Sequence, residues 1–411
     1  MTRSALVLGA GMVGTCTALH LAFRGYEVTL VDRREPGRET SYGNAGIIQR
    51  EAVEPYAFPR GIPALLSAAF KRGADVNYHL GALPRLAAPL LRYWANSGPA
   101  RYPAIARDYA RLTEHATSEH ARLIDAASAQ DLVQRAGYRA IFRQTASLDA
   151  ALTVAQRWAQ DYGVSFVPQD SGALAAAEPA LRQRLAGAIH WTDPWSVSDP
   201  GELVERYAAL LARSGGRVVR GDAATLRATA TGWAVQTDAG TVDAGQTVIA
   251  LGPWADTVLA PLGYRLPLFV KRGYHRHYTG TGPNLPLLDA DRGLVIAPMK
   301  RGVRLTTGAE LTDIDAPATP WQLERAETSA RELLDLPQPV EPAPWRGARP
   351  CTPDMKPVIG AAPRHPGLWF NFGHSHQGFT LGPVSGRLLA ELMDGERPVV
   401  DPQPYGPQRL M

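Results

Sequence analysis

At its amino-terminal end the chain reads Ser4-Ala-Leu-Val-Leu8, then Gly9-Ala10-Gly11-Met12-Val13-Gly14, then a mostly apolar run from Thr15 to Phe23. The short apolar segment predicts a buried strand, and the run behind the glycines predicts a helix. In such a strand–turn–helix Gly9 permits the tight turn, Gly11 lets backbone N–H groups approach a pyrophosphate, and Gly14 allows the helix to pack closely on the strand. The helix N-terminus adds the positive end of its dipole at the same place. Glu27-Val-Thr-Leu-Val-Asp32 follows as a second strand ending in an acid, spaced to grip a ribose hydroxyl. Strand, glycines, helix, strand and acid in that order predict a dinucleotide-binding α/β unit, which glycine spacing alone would not. Asp32 favours an unphosphorylated ribose, as in FAD or NAD, while Arg33 and Arg34 keep a 2′-phosphate open. The turn does not separate FAD from NAD.

A chain of 411 residues suits two or three domains and can enclose a large cofactor between them. Its net charge of +4 is spread along the sequence without a basic block, which gives no support to nucleic-acid binding. Cys16 and Cys351 stand in unrelated contexts, so neither a disulfide framework nor a zinc site is expected, and a reducing compartment is the default. The stretch from Ala5 to Phe23 imitates a signal peptide, but its ordered glycines with Thr15, Thr17 and His20 argue against that reading. No segment approaches the ~20 apolar residues that cross a bilayer. Membrane contact, if any, is expected to be peripheral.

Later segments favour a flavin. Thr40-Ser41-Tyr-Gly-Asn44-Ala45-Gly46 is a small-residue stretch whose backbone can lie against a flat ligand, where an NAD domain more often continues into helix and strand. Gln246 to Ala255 reads as a buried strand ending at Gly252, preceded by a strand pair over Gly216 to Leu226. Asn371 to Pro383 is glycine-rich and opens a last helix over Val384 to Met393, whose N-terminus can stabilise charge on an electron-rich ring. His374 and His376 lack an acid or cysteine at ligand spacing, so no metal is expected. His275 and His277 alternate on an expected strand and share a face, as a core or exposed pair does.

Taken together the chain resembles the D-amino-acid oxidase superfamily of FAD-dependent oxidoreductases, and within it the bacterial D-amino-acid dehydrogenases. The resemblance is carried by the N-terminal turn, Asp32, Thr40 to Gly46, Arg272-Gly-Tyr274, Trp345 to Asp354, Pro357 to Gly360 and Gly373 to Thr380, in family order. It implies non-covalent FAD and an α/β architecture: a Rossmann-like FAD-binding domain over 1–50, 195–260 and 345–411, with a discontinuous α+β substrate domain over 51–194 and 261–344. It implies that Arg349 clamps a substrate carboxylate, a task its planar fork suits and a lysine would not reproduce. The competing reading pairs Arg349 with Asp354. Tyr274 matches a residue near the substrate and would donate its hydroxyl to the same carboxylate; the competing reading is packing. Ala224 matches a backbone contact to the adenine side, and Gly46, Gly252, Gly373, Gln377, Gly378 and Thr380 match positions along the cofactor. Glu51-Ala-Val-Glu-Pro55 departs from the more polar, glycine-containing loop of general D-amino-acid dehydrogenases.

The expected activity is dehydrogenation of a D-amino acid at its α-carbon, giving an imino acid and then an oxo acid and ammonia, in amino-acid catabolism. Electrons would pass to a quinone, an electron-transfer protein or O2, in the cytoplasm or on the cytoplasmic face of the inner membrane. Alternatives are a glycine, sarcosine or D-proline/hydroxyproline-type secondary amine oxidase or dehydrogenase, an NAD-dependent dehydrogenase, and a flavin-binding subunit without turnover. Asp199-Pro200 is expected to start a helix to Ala212, and a helix is expected over Ala104 to Ala127. Strands are expected over Phe269 to Tyr278, Gly293 to Pro298 and Arg304 to Thr307, with Leu336 to Trp345 crossing between domains.

Overall fold

The computed structural model describes residues 3–61 and 76–411. The chain begins with β1 (Ser4–Leu8), α1 (Met12–Ala22) and β2 (Glu27–Asp32). β1 lies inside an eight-stranded sheet, flanked in parallel by β2 and by Gln246–Ile249. Both faces of such a strand are covered, which is why Ala5 to Leu8 is apolar throughout instead of alternating. Arg217–Ala228 adds in parallel beside β2, and Leu368–Phe372 beside Gln246–Ile249. The carboxyl ends of the parallel strands therefore meet at one edge, where ligands of open α/β sheets bind.

The segment predicted as a strand pair over 216–226 is one strand, Arg217–Ala228, whose second partner is the hairpin Trp233–Thr237 and Gly240–Ala244. The strand expected to end at Gly252 ends at Ile249. Asp199 caps the helix Pro200–Arg213 by accepting the Glu202 amide, as its position before a proline suggested. The helix expected over 104–127 is two, Tyr102–Thr113 and Ala116–Ala126, with a turn between them.

The second sheet contains ten strands. Its centre for function is β3 (Phe269–Tyr278), which pairs antiparallel with Gly302–Thr306, Ala309–Leu311 and β4 (Trp345–Cys351). The strand expected over 293–298 is Leu294–Met299. Residues 345–351, assigned from sequence to the cofactor unit, thus form a strand of the other sheet, because β4 finds its hydrogen-bond partner in β3.

The last helix, α2 (Gly378–Asp394), starts before the expected Val384 and carries Pro383 within it. It packs on α1 through Gly382 and Gly386, where a Cβ would lie 2.6 Å from Met12 Cγ and 2.8 Å from the Thr17 nitrogen. Small residues four apart let two backbones approach, and here they dock the amino-terminal and carboxyl-terminal ends of the chain together. Among the described residues no helix is long and apolar enough to cross a membrane.

Candidate active site

A cavity of about 960 Å³ runs between the two sheets, a size at the upper end of small-molecule and cofactor sites. Gly9, Gly11, Met12, Val13, Asp32 and Arg33 line it from the glycine turn. Ser41, Asn44 and Ala45 line it from the following loop, and Ala224, Gly252, Gly373 and Gly378 from later segments. The turn is built closely: a Cβ on Gly9 (φ +109°) would lie 2.4 Å from the Ala250 carbonyl oxygen. Gly11, the N-cap of α1, has no side chain to offer; Ser41 Oγ accepts the Met12 amide at 2.9 Å, and the remaining first-turn amides and the dipole end stand at the cavity.

The other predicted cofactor residues stand behind this wall. Ala10 donates its amide to Asp32 Oδ2 at 2.7 Å and so ties the turn to β2. Gly14 lets the helix touch the turn, since a Cβ there would lie 1.8 Å from the Gly9 oxygen. Gly46 (φ +71°) passes under the Val197 carbonyl, 2.3 Å from where a Cβ would be. Gln377 and Thr380 hold Gln49, through its Oε1 at 2.9 Å and its amide at 3.1 Å, and Gln49 itself lines the cavity. Arg33 and Arg34 both pair with Glu39, and Arg33 stacks on Trp254. The two arginines share one carboxylate, so the pair keeps a net positive charge at the cavity mouth.

The reacting end is written in the pairing of β3 with β4. In an antiparallel ladder directly opposed residues share a face, and successive residues alternate faces. Lys271 opposes Arg349, Gly273 opposes Gly347, and His275 opposes Trp345. All six lie on one face as three rungs, one cationic, one of glycines and one aromatic. The aromatic rung stacks at 4.7 Å between ring centres. The glycine rung is empty space that its neighbours fill. A Cβ on Gly273 would lie 2.6 Å from Arg349 Nη2, and one on Gly347 would lie 1.9 Å from the Trp345 ring.

Among the described residues the cationic rung has no counter-ion. Arg349 gives Nη1 to the Gly308 carbonyl at 2.8 Å and Nη2 to the Thr307 carbonyl at 3.3 Å, leaving other N–H groups of its fork unused. Asp354, the alternative partner suggested by sequence, is engaged by Arg409 at 2.7 Å. Lys271 donates to the Tyr93 hydroxyl at 3.1 Å. Burial holds the pKa of both cations below the usual range, and Arg349 lowers that of Lys271 further. Among the described residues no carboxylate acts on either. The contrast is Arg272, one residue along β3 on the opposite face, which is buried against Glu310 at 2.7 Å. Two cations side by side, with no carboxylate among the described residues acting on either, call for an anionic ligand.

Tyr274 lines the cavity, but its hydroxyl is engaged away from the cations. It shares the face of Arg272, is 2% exposed, donates its hydroxyl to Glu310 at 2.8 Å and accepts the Thr319 amide at 3.0 Å. A phenol has one proton, and Glu310 takes it. The residues that do face the cations are Tyr56 and His376, with ring centres 5.1 Å apart. Burial and Glu51 raise the Tyr56 phenol, and Arg349 offsets them. Burial, Arg349 and Lys271 together keep the His376 imidazole well below its usual pKa. From sequence His376 stands out only as a metal ligand to be dismissed, and the unusual 51–55 loop stops one residue short of Tyr56. Lys271 carries no signal beyond its place beside Arg272. Among the described residues no group of three or more His, Cys, Asp or Glu is placed to hold a metal, and His374 instead meets Ser385 Oγ at 3.0 Å.

A family model for the FAD-dependent oxidoreductase (DAO) family matches residues 4–392. The chain belongs to this family. It is 34% identical to a D-amino acid dehydrogenase of Cereibacter sphaeroides over 98% of this chain and 94% of the relative. It is 29% identical to a D-amino-acid oxidase of Bradyrhizobium diazoefficiens over 100% of this chain and 99% of the relative. The fold matches that of glycine oxidase from Geobacillus kaustophilus with a TM-score of 0.72 at 22% identity, covering 100% of this chain and 99% of the other.

The protein is an FAD-dependent oxidoreductase, and its residues fit that cofactor. The α1 amides and the crowded glycine turn suit a diphosphate, and Asp32 at the end of β2 suits a ribose. The uncapped start of α2, reached through the turn Ser375–Gln377, suits the ring. Cys351 is buried within β4, and its thiol points to the Arg349 carbonyl at 3.7 Å.

Proposed function

We propose that the protein oxidatively deaminates D-amino acids, with Arg349 and Lys271 receiving the α-carboxylate. The observation that carries this is the uncompensated cationic rung of β3 and β4, in the same cavity as the dinucleotide turn. A bidentate carboxylate on the free side of the Arg349 fork orients the amino acid, and Lys271 adds charge from the opposing strand. Non-covalent FAD, when bound, accepts the hydride from the α-carbon. This chain's own part is to hold the α-carbon in one pose and to exclude water behind Trp345 and the apolar wall. The preference for the D configuration is supported by the names of relatives at 29% and 34% identity. The imino acid leaves and hydrolyses to an oxo acid and ammonia. The electrons pass to O2, a quinone or an electron-transfer protein, and the setting is cytoplasmic or peripheral to the inner membrane.

The test is anaerobic mixing of the yellow enzyme with D- and L-amino acids, glycine, sarcosine and D-proline while the flavin absorbance is followed. Bleaching by D-amino acids, lost in Arg349→Ala with the flavin retained, is the expected result. Bleaching by glycine, sarcosine or L-amino acids alone would overturn the substrate assignment, and unchanged kcat/KM in Arg349→Ala would overturn the clamp.

A further inference from the structure

An amino acid arrives at neutral pH as an ammonium, yet its α-carbon gives up a hydride only when the nitrogen lone pair is free to form the imine. Something must receive the ammonium proton. Among the described residues no carboxylate stands beside the cationic rung to do so, and none acts on Lys271 or Arg349. Glu51, the nearest buried carboxyl to the Tyr56 loop, is not on that wall; it is held by Gln49 at 2.9 Å and by the Tyr138 hydroxyl at 3.0 Å. The tyrosines there carry phenols that burial pushes upward, which makes them poor acceptors.

We infer that His376 is the group that takes the proton from the substrate's ammonium nitrogen, so that the amine meets the oxidation step neutral. The inference rests on the function proposed above. His376 lines the cavity beside Tyr56, and no hydrogen bond among the described residues engages its ring nitrogens. It is set there by Ser375, whose φ of +53° places a non-glycine residue in the left-handed region. Backbone strain of this kind persists where the surroundings demand one pose, and here it turns the short Ser375–Gln377 helix so that its middle residue faces the cations.

The charged groups that act on His376 are Arg349 from β4 and Lys271 from β3, and Cys351, Tyr56, Tyr93 and Tyr109 share with it the small cavity behind. Burial first, and then the two cations, hold the imidazole well below its usual pKa, which leaves an acceptor lone pair available. A bound carboxylate cancels one positive charge and makes protonation of the ring easier at the moment an ammonium lies beside it. The remaining positive charge meanwhile makes that ammonium more acidic. In the transfer one N–H bond of the ammonium breaks, its electron pair stays on the substrate nitrogen, and a new N–H bond forms on the unprotonated nitrogen of the ring. The total charge is unchanged, and the proton returns to solvent after the product leaves.

The experiment uses the holoenzyme and His376→Gln. The pH dependence of kcat/KM with D-alanine is measured from pH ~6 to ~10, a span that brackets the ordinary histidine and approaches the amine range. The variant is expected to lose about 10²-fold at neutral pH and to recover as the pH approaches the titration of the substrate's own amine. A variant whose profile runs parallel to that of the parent, whether or not it is slower, would overturn the assignment. The second readout needs no turnover: in 15N-histidine spectra of the oxidised holoenzyme, the resonance that His376→Gln removes should titrate well below ~6.5 and move upward when benzoate occupies the site. A resonance that ignores benzoate would equally overturn it. If D-amino acids fail to bleach the parent enzyme, the functional proposal falls by itself, while the spectra still judge the coupling of His376 to the cations.

Discussion

Gly273→Ala separates the making of the site from the making of the fold. Gly273 is not at positive φ, so alanine can adopt its backbone, and an interior strand glycine replaced by alanine gains roughly 0.5–1 kcal/mol from reduced chain entropy. The added Cβ, however, would stand 2.6 Å from Arg349 Nη2, 3.0 Å from Cζ and 3.1 Å from Nη1. Carbon and nitrogen at rest sit about 3.5 Å apart or more, so the guanidinium must withdraw by about 1 Å. The atoms displaced are the end of a flexible side chain, which makes the shift cheap for the fold. It is costly for catalysis, because a misplacement of about 1 Å in an orienting group lowers turnover by about 10²-fold. The expected variant is yellow, melts at or above the parent temperature, and shows kcat/KM reduced about 10²-fold with weaker benzoate binding read from the flavin spectrum. A folded Gly273→Ala enzyme with parental kcat/KM and benzoate affinity would refute the argument that the glycine rung seats the Arg349 fork.

Gly14→Ala should abolish flavin retention, since its Cβ meets the Gly9 carbonyl at 1.8 Å and the turn must open; a purified variant that keeps one FAD per chain would contradict this. Tyr274→Phe leaves Glu310 and the Thr319 amide each short of a partner, so it should cost about 1–3 kcal/mol in denaturant melts while KM stays put; a raised KM at parental stability would instead restore the tyrosine to the substrate site. Among the described residues Glu51 is buried with no ion-pair partner, and burial pushes its pKa up to about 7 from 4.5. Between those two values the unfolded chain binds fewer protons than the folded one, so the contribution is full below pH 4.5 and is lost as pH rises through about 7. Glu51→Gln should flatten that fall, and urea midpoints across the same range that keep the parental slope would refute it.

Much of the cofactor half is legible in the order of its residues, because its signals are local. The glycine turn, α1, β2 and Asp32 fall within one contiguous stretch, where spacing and periodicity decide the backbone and the backbone decides what it can hold. The same holds for Asp199 as a cap and for Phe269–Tyr278, whose bounds match expectation. Helix and strand ends are less legible. Pro383 suggests a later start for α2, yet a proline is tolerated in a helix whose first turns are packed against α1. Arg349 is reached by resemblance alone, since an arginine five residues before an aspartate reads equally well as an ion pair.

What the sequence determined by itself is the dinucleotide turn and the alternation of faces along β3, since both follow from dihedral angles and from a repeat of two. Tertiary structure decided that Lys271 stands beside Arg349 and that the Tyr274 hydroxyl is engaged by Glu310. It decided that residues 345–351 pair with β3, and that His376 and Tyr56 meet the cationic rung. These depend on contacts between segments far apart in the chain, where no local propensity specifies the partner and only the shared burial of whole elements selects it.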